Sequence, residues 1–288
     1  MIACTAVLAV LAAGAPLPPP AAVPAIAPRP SPAPRPAPAF TAAERAELTR
    51  DLDAYLRERP GSGSLAVRDV TTGISYTYGD ELRTATASIV KVNIVMALLL
   101  RARRDGRPPT PAEKALAERA ITVSDNDAAT ALWRAIGGAE GLAAANEEFG
   151  LRDTVPGQGG SWGSTTTSAA DQVELLAALV SPDGPLSPRN RRHVRDLLAG
   201  VTPAQAWGVG AAGDMPALKN GWLPRDAHGG LWTINSIGIV RAAGRVLLIA
   251  VLSERRPDMR TGIETVEHIA RTASTRLVQA LANGRPAG

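Results

Sequence analysis

Polar and apolar positions along the chain mark out a helix-strand-helix-strand-helix order. Thr41 followed three residues later by Glu44 is a capping-box pattern, opening a helix that runs through Arg57. Two short strand-like runs follow, SLAVRDV (Ser64 to Val70) and ISYTYGD (Ile74 to Asp80), joined by Thr71-Thr72-Gly73, which reads as a hairpin turn. From Ser88 to about Leu198 the pattern is mostly helical with short breaks. Strands return at LWTINSIGIV (Leu231 to Val240) and RVLLIAVLS (Arg245 to Ser253), with a turn at Ala243-Gly244 between them, and a final helix covers Gly262 to Leu281.

Strands thus stand at both ends of the pattern and helices fill the middle. A hairpin near the start and another near the end can pair into one antiparallel sheet, with the terminal helices on one face and the helical insert on the other. This predicts a mixed α/β (α+β) fold: an antiparallel sheet flanked by terminal helices, joined to an all-α subdomain, with a cleft between them where ligand sites are often found. The folded domain is expected over residues 40–284.

What precedes it is different. IACTAVLAVLAAGA is an apolar run of about 14 residues, short for a bilayer span, and it ends in Ala13-Gly14-Ala15, a small-residue signature of signal-peptide cleavage. Residues 1–15 are therefore expected to be a signal peptide, although they lack the usual Lys or Arg. Cys4 does not fit a lipid-modified cysteine, because the apolar run follows it rather than precedes it. Residues 16–39, PLPPPAAVPAIAPRPSPAPRPAPA, are too rich in proline for helix or sheet and read as an extended linker. A secreted or cell-envelope protein follows, with no stable membrane span after signal cleavage.

Composition narrows the function. The 288 residues are 45% hydrophobic and 20% charged, with net charge +4. Arginine is scattered rather than clustered and aromatics are only 3%, which argues against a nucleic-acid surface. Cys4 is the single cysteine, so no internal disulfide forms. His193, His228 and His268 stand far apart, without metal-ligand spacing. No metal or cofactor is implied, and a monomer is the expected form.

The chemistry begins with TATASIVKVNIVMALLL, Thr84 to Leu100. Ser88 and Lys91 lie three residues apart near the start of an apolar helix, on one face. A serine hydroxyl needs a base to become a nucleophile, and burial lowers a lysine's pKa towards the range where it accepts a proton. The chain has three lysines against 28 arginines. Arginine is not deprotonated in proteins, so positions that keep lysine are candidates for needing a titratable amine. They are Lys91, Lys114 and Lys219; Lys114 sits among charges at exposed spacing and reads as a solvated surface residue.

Two further patterns follow in order: Ser124-Asp125-Asn126 within ITVSDNDAAT, and Lys219-Asn220-Gly221 within ALKNGW. Alone, the first is a plausible helix cap and the second a plain turn. Together with Ser-x-x-Lys they resemble the S-x-x-K, S-D-N and K-T-G motifs of the class A β-lactamase and penicillin-binding protein superfamily. The likeness extends over about Ser64 to Leu281, and Thr165 to Ala170 is similar to the Thr-rich opening of the helix after that family's Ω-loop. The resemblance implies a β-lactamase-like fold and a serine hydrolase that works through an acyl-enzyme. Ser88 would attack the carbonyl, Lys91 would take or relay its proton, and Ser124 would pass a proton to the leaving nitrogen. Asn126 would bind the substrate's side-chain amide, and Lys219 would add positive field near the substrate carboxylate. Asn220 would donate to that carboxylate, Gly221 would let substrate lie close to the strand, and the N–H groups of Ser88 and Trp222 would form the oxyanion hole. The partner would be a small-molecule β-lactam or a peptidoglycan stem peptide.

Two departures qualify the resemblance. Asn220 stands where the family has Thr or Ser. The stretch corresponding to the Ω-loop, Leu151 to Asp171, holds no glutamate to activate water for deacylation; its acids are Asp153 and Asp171, and Glu147 and Glu148 precede it. Slow release of the acyl group is therefore expected. A D-alanyl-D-alanine carboxypeptidase-like penicillin-binding protein and a non-catalytic cell-wall-binding module are the alternatives. Gly159-Gly160-Ser161-Trp162-Gly163 also fits the G-x-S-x-G nucleophile elbow, with His268 late in the chain, but VPGQ before it is not the strand that the elbow needs.

Overall fold

The structure, a computed structural model, describes residues 39–283; the expected signal peptide and nearly all of the proline-rich linker lie outside them. Helix α1 (Ala42–Arg57) opens on the anticipated capping box, with the Thr41 hydroxyl accepting from Glu44 N and the Glu44 carboxylate accepting from Thr41 N. Strands β1 (Ser62–Asp69) and β2 (Ser75–Tyr78) form the first hairpin. Its turn is fixed by the buried Asp69 carboxylate accepting from Thr71 N at 2.8 Å, and by Gly73 at φ 72°. A short strand β3 (Thr84–Ala85) leads to a 3-10 turn, Ala87–Ile89, that runs straight into α2 (Val90–Arg104). The all-α region continues with α3 (Pro111–Thr122), α4 (Asn126–Ile136) and α5 (Gly138–Glu148). After strand β4 (Thr166–Thr167) come α6 (Ala169–Val180) and α7 (Pro188–Ala199). Strands β5 (Asp214–Pro224), β6 (Trp232–Ala242) and β7 (Arg245–Arg256) and helix α8 (Met259–Asn283) close the chain.

The five main strands form one antiparallel sheet in the order β2-β1-β7-β6-β5. The two expected hairpins meet as anticipated, β1 pairing with β7 in the register Leu65↔Val251. Both faces of β7 are covered. Leu247, Ile249 and Val251 pack with α1 and α8, while Leu248, Ala250 and Leu252 pack with the helical insert. That two-sided burial is why this strand reads as an unbroken apolar run rather than as an alternation. The β6–β7 turn places Ala243 at φ 46° and Gly244 at φ 76°, the left-handed pair that a tight hairpin matching strand twist requires.

The hydrophobic pattern did not mark β5. It is an edge strand with Pro216 near its start and Pro224 at its end, a register shift between Asp214 and Ala217, and the polar run Lys219-Asn220-Gly221 interrupting its apolar residues. Its inner neighbour β6 carries the buried Asn235, opposite Gly221 in the ladder. Asn235 Nδ2 donates to the carbonyls of Ala85 (2.8 Å) and Thr86 (3.2 Å), and its Oδ1 accepts from Ser253 N at 3.2 Å. One side chain thus anchors the turn before α2 to the middle of the sheet. Replacing it strands buried polar groups on both elements. Asn235→Leu is expected to lower stability by about 2 kcal/mol, a fall of roughly 6 °C in thermal midpoint, measurable by circular dichroism.

Candidate active site

Three segments converge where the helical insert meets the edge of the sheet. The first is the turn into α2. Ser88 is partly exposed there, and Ala87 before it takes φ 47°, a left-handed value that costs a non-glycine residue roughly 1–2 kcal/mol. The second is the link between α3 and α4, where Ser124 also adopts a left-handed backbone, φ 59°. Asp125 caps α4, its Oδ1 accepting from Ala128 N at 2.9 Å, and is paired with Arg119. The third is the edge strand β5, with Lys219 and Gly221 both fully or nearly buried.

Lys91 is the hub. Its side chain is 0% exposed, and its Nζ donates to Ser124 O (2.6 Å), Ser124 Oγ (3.0 Å) and Asn126 Oδ1 (2.8 Å). Ser88 Oγ, the expected partner, is not among these hydrogen bonds; the amine is turned towards the Ser124 loop. Burial lowers the Lys91 pKa to about 8, against a smaller upward pull from Asp125. Lys219 is also completely buried. Its Nζ donates to Asn220 O at 3.0 Å and lies 3.5 Å from Gln205 Oε1. Desolvation, and then the charge of Lys91, bring its pKa down to about 7. Neither amine forms an ion pair with a carboxylate among the described residues.

Gly221 has a specific job. A Cβ there would lie 2.6 Å from Thr86 O, 2.7 Å from Ser88 N and 2.8 Å from Ile89 N. The family resemblance implies substrate in that space; the protein's own backbone fills it. Glycine allows β5 to press against the turn that carries Ser88, which brings the Ser88 N–H up to the strand beside Trp222. Trp222 packs its ring against Trp207, centroids 5.8 Å apart.

Asn220 is also used differently from the expectation. Both protons of its Nδ2 go to main-chain carbonyls, Gln205 O and Trp207 O, each at 2.8 Å, and the side chain is fully buried. No donor is left for a substrate carboxylate, so Asn220 ties β5 to the segment before it. That segment was missed from the sequence. Gln205 Nε2 donates to Val123 O at 2.9 Å and Thr202 N to Thr122 O at 3.0 Å, so residues 202–205 staple the Ser124 loop to the Lys219 strand. Nothing in a short proline-bounded loop distinguishes such a glutamine beforehand.

The stretch between α5 and α6 is organised by Asp171, whose buried carboxylate accepts from Arg152 N (3.1 Å), Asp153 N (2.8 Å) and Thr154 Oγ1 (2.7 Å). Asp153 pairs with Arg83 at 2.8 Å, and Glu148 with Arg104 at 3.5 Å. The residue that reaches Lys91 from this loop is Trp162. Its ring centroid is 5.0 Å from Lys91 Nζ and its Nε1 donates to Thr130 Oγ1 at 3.1 Å. An indole face, rather than a carboxylate, covers the amine. Ser161 is exposed after the glycine turn Gly159-Gly160 and leads into a 3-10 turn, Trp162–Ser164, with no strand before it. The nucleophile elbow is therefore not formed, and His268 is stacked on Tyr55 at 3.6 Å.

The architecture is that of class A β-lactamases. The TLA-1 extended-spectrum β-lactamase superposes with a TM-score of 0.72 at 16% identity, over 82% of this chain and 99% of that one. PBP-A superposes with a TM-score of 0.69 at 20% identity, over 81% of this chain and 96% of that one. The family known as Beta-lactamase enzyme family matches residues 106–277, more than half of the sequence, and the chain belongs to it. That match takes in Ser124, Asn126 and Lys219 and begins after Ser88 and Lys91. A protein bearing the name lipoprotein LppW, in Mycobacterium bovis and Mycobacterium tuberculosis, is 28% identical over 218 residues, 73% of this chain and 68% of the relative.

Two buried amines without a countercharge carry a stability cost with a defined pH signature. With Lys219 at about 7 in the fold and 10.5 as its ordinary value, both states hold the proton below pH 7 and the full desolvation cost is present. Between these values only the unfolded chain keeps it, so stability rises with pH. Lys219→Met is expected to raise the thermal midpoint most below pH 7, with the gain shrinking towards pH 10, as read by parallel melts of the two proteins.

Proposed function

We propose that this protein is an exported serine hydrolase of the β-lactamase-like kind that forms a covalent acyl-enzyme through Ser88 with a β-lactam or a related amide and releases it slowly. The observation that carries this reading is the pair of buried amines, Lys91 and Lys219, set around a partly exposed serine, with no carboxylate on Lys91. Ser88 Oγ attacks the carbonyl carbon and its proton passes to neutral Lys91. The oxyanion is received by the N–H groups of Ser88 and Trp222. When the C–N bond breaks, the nitrogen takes a proton from Ser124 Oγ, which Lys91 replenishes along their 3.0 Å hydrogen bond. Asn126 keeps its Nδ2 available for a substrate carbonyl while its Oδ1 is held by Lys91. Lys219 supplies the field for an anionic substrate group.

Deacylation needs a base for water. The indole of Trp162 sits over Lys91, and the nearby loop acids Asp153 and Asp171 are committed to Arg83 and to backbone N–H groups. This supports an acyl-enzyme that accumulates, the behaviour of a penicillin-binding protein rather than of an efficient β-lactamase. The apolar N-terminal run and the mycobacterial relative named as a lipoprotein support an extracytoplasmic address.

Intact-mass spectrometry after incubation with benzylpenicillin is the test. One added penicillin mass on Ser88, persisting for minutes or longer and absent in Ser88→Ala, is expected. Rapid multiple turnover without an adduct would overturn slow release, and neither adduct nor turnover would leave the non-catalytic binding module as the better reading.

A further inference from the structure

Away from this site, the helical region holds a cavity of about 440 Å³ where the end of α2 meets the N-terminal ends of α3 and α7. Arg103, Arg107, Lys114, Arg189 and His193 line it, and no aspartate or glutamate does. Two of these cations are already engaged. Arg107 is gripped by both oxygens of Glu113, at 2.8 and 2.9 Å, and Arg103 donates to the Pro185 carbonyl. Lys114 and Arg189 form no ion pair among the described residues.

Three further observations give the cavity meaning. Lys114 is the third of the chain's three lysines; the sequence placed it on a solvated face, yet it stands half-buried in this wall. Helix α7 begins Pro188-Arg189-Asn190-Arg191-Arg192 and has no acidic residue in its first turn, the reverse of what the helix dipole favours at that end. His193 is held below its ordinary pKa by burial and then by Lys114, with Arg189 adding to the push while Asp196 and Glu118 oppose it. Positive charge is thus gathered around a space within the size range of small-molecule sites.

We propose that this cavity binds a small multivalent oxyanion, a phosphate ester or a polycarboxylate, between Lys114 and Arg189 at the N-terminal end of α7. The anion offsets the repulsion among these cations and takes the place of the missing first-turn acid. Lys114 stands in the first turns of α3 and Thr122 ends it about 12 Å further along the axis, with the Ser124 link beyond, so substitutions at the cavity leave the Ser88 machinery untouched.

The test follows thermal unfolding of the full chain in sodium phosphate, glucose 6-phosphate or citrate, each against sodium chloride of equal ionic strength. At tenfold excess over the dissociation constant, the midpoint is expected to rise by about 3 °C above the chloride control. Lys114→Ala/Arg189→Ala, shown by circular dichroism to be folded, is expected to lose that increment, and Lys114→Arg to keep most of it. A larger effect from glucose 6-phosphate supports a phosphate ester as the natural ligand, and a larger effect from citrate a polycarboxylate. No increment above chloride in any arm, or the same increment in the double variant, would overturn the proposal.

Discussion

The central physical constraint in this molecule is the burial of two amines in a chain that already carries excess positive charge. Lys91 and Lys219 are both removed from water, and the charge of Lys91 further lowers the tendency of Lys219 to hold a proton. A buried charge without a carboxylate is tolerated only if fixed dipoles replace water. Here the dipoles are the carbonyl and hydroxyl of Ser124, the amide oxygen of Asn126, the Asn220 carbonyl and, more distantly, Gln205. Much of the local architecture serves to hold these groups still: the left-handed backbone at Ser124, the Asp125 cap on α4, and the 202–205 segment that joins the Ser124 loop to β5.

The same need explains why the site lies at a sheet edge. An edge strand leaves a row of main-chain groups without a strand partner, and at β5 that row lies beside the turn carrying Ser88. Gly221 permits the approach and Asn235 anchors the turn from the neighbouring strand. Both act on backbone rather than on a ligand. The strain at Ala87 is supported by these contacts and that at Ser124 by its hydrogen bonds from Lys91, as left-handed residues at functional positions generally require.

Much of this was legible in the sequence, for identifiable reasons. The central strands are recognisable because two-sided burial leaves no polar alternation in β7, and the hairpin turns because Gly73 and Gly244 supply positive φ. The lysine pattern was informative because the chain uses arginine almost throughout, and two of its three lysines, Lys91 and Lys219, meet in one cleft as buried amines that titrate. What stayed hidden was relational. β5 is a strand because β6 accepts it, not because of its own residues. Asn220 and Gly221 sit in the expected motif but face the protein's own backbone. Trp162 and Gln205 matter through partners 71 and 14 residues away, Lys91 and Lys219, and no local pattern encodes such distances.

The pairing of β1 with β7 has one more consequence, for the order in which the molecule is assembled. These strands stand side by side at the middle of the sheet, yet the intervening chain includes the whole helical insert. Helices α2 to α5 pack chiefly on one another and have the means to collapse early, whereas α6 and α7 lie against strands of the sheet, which waits for a partner contributed near the end of the polypeptide, and closing so long a loop is slow. A nascent chain lacking residues 245–256 therefore has no central strand, and both hydrophobic layers lack the surface that divides them. Completion of the fold is a late, all-or-none event tied to the arrival of the last strand.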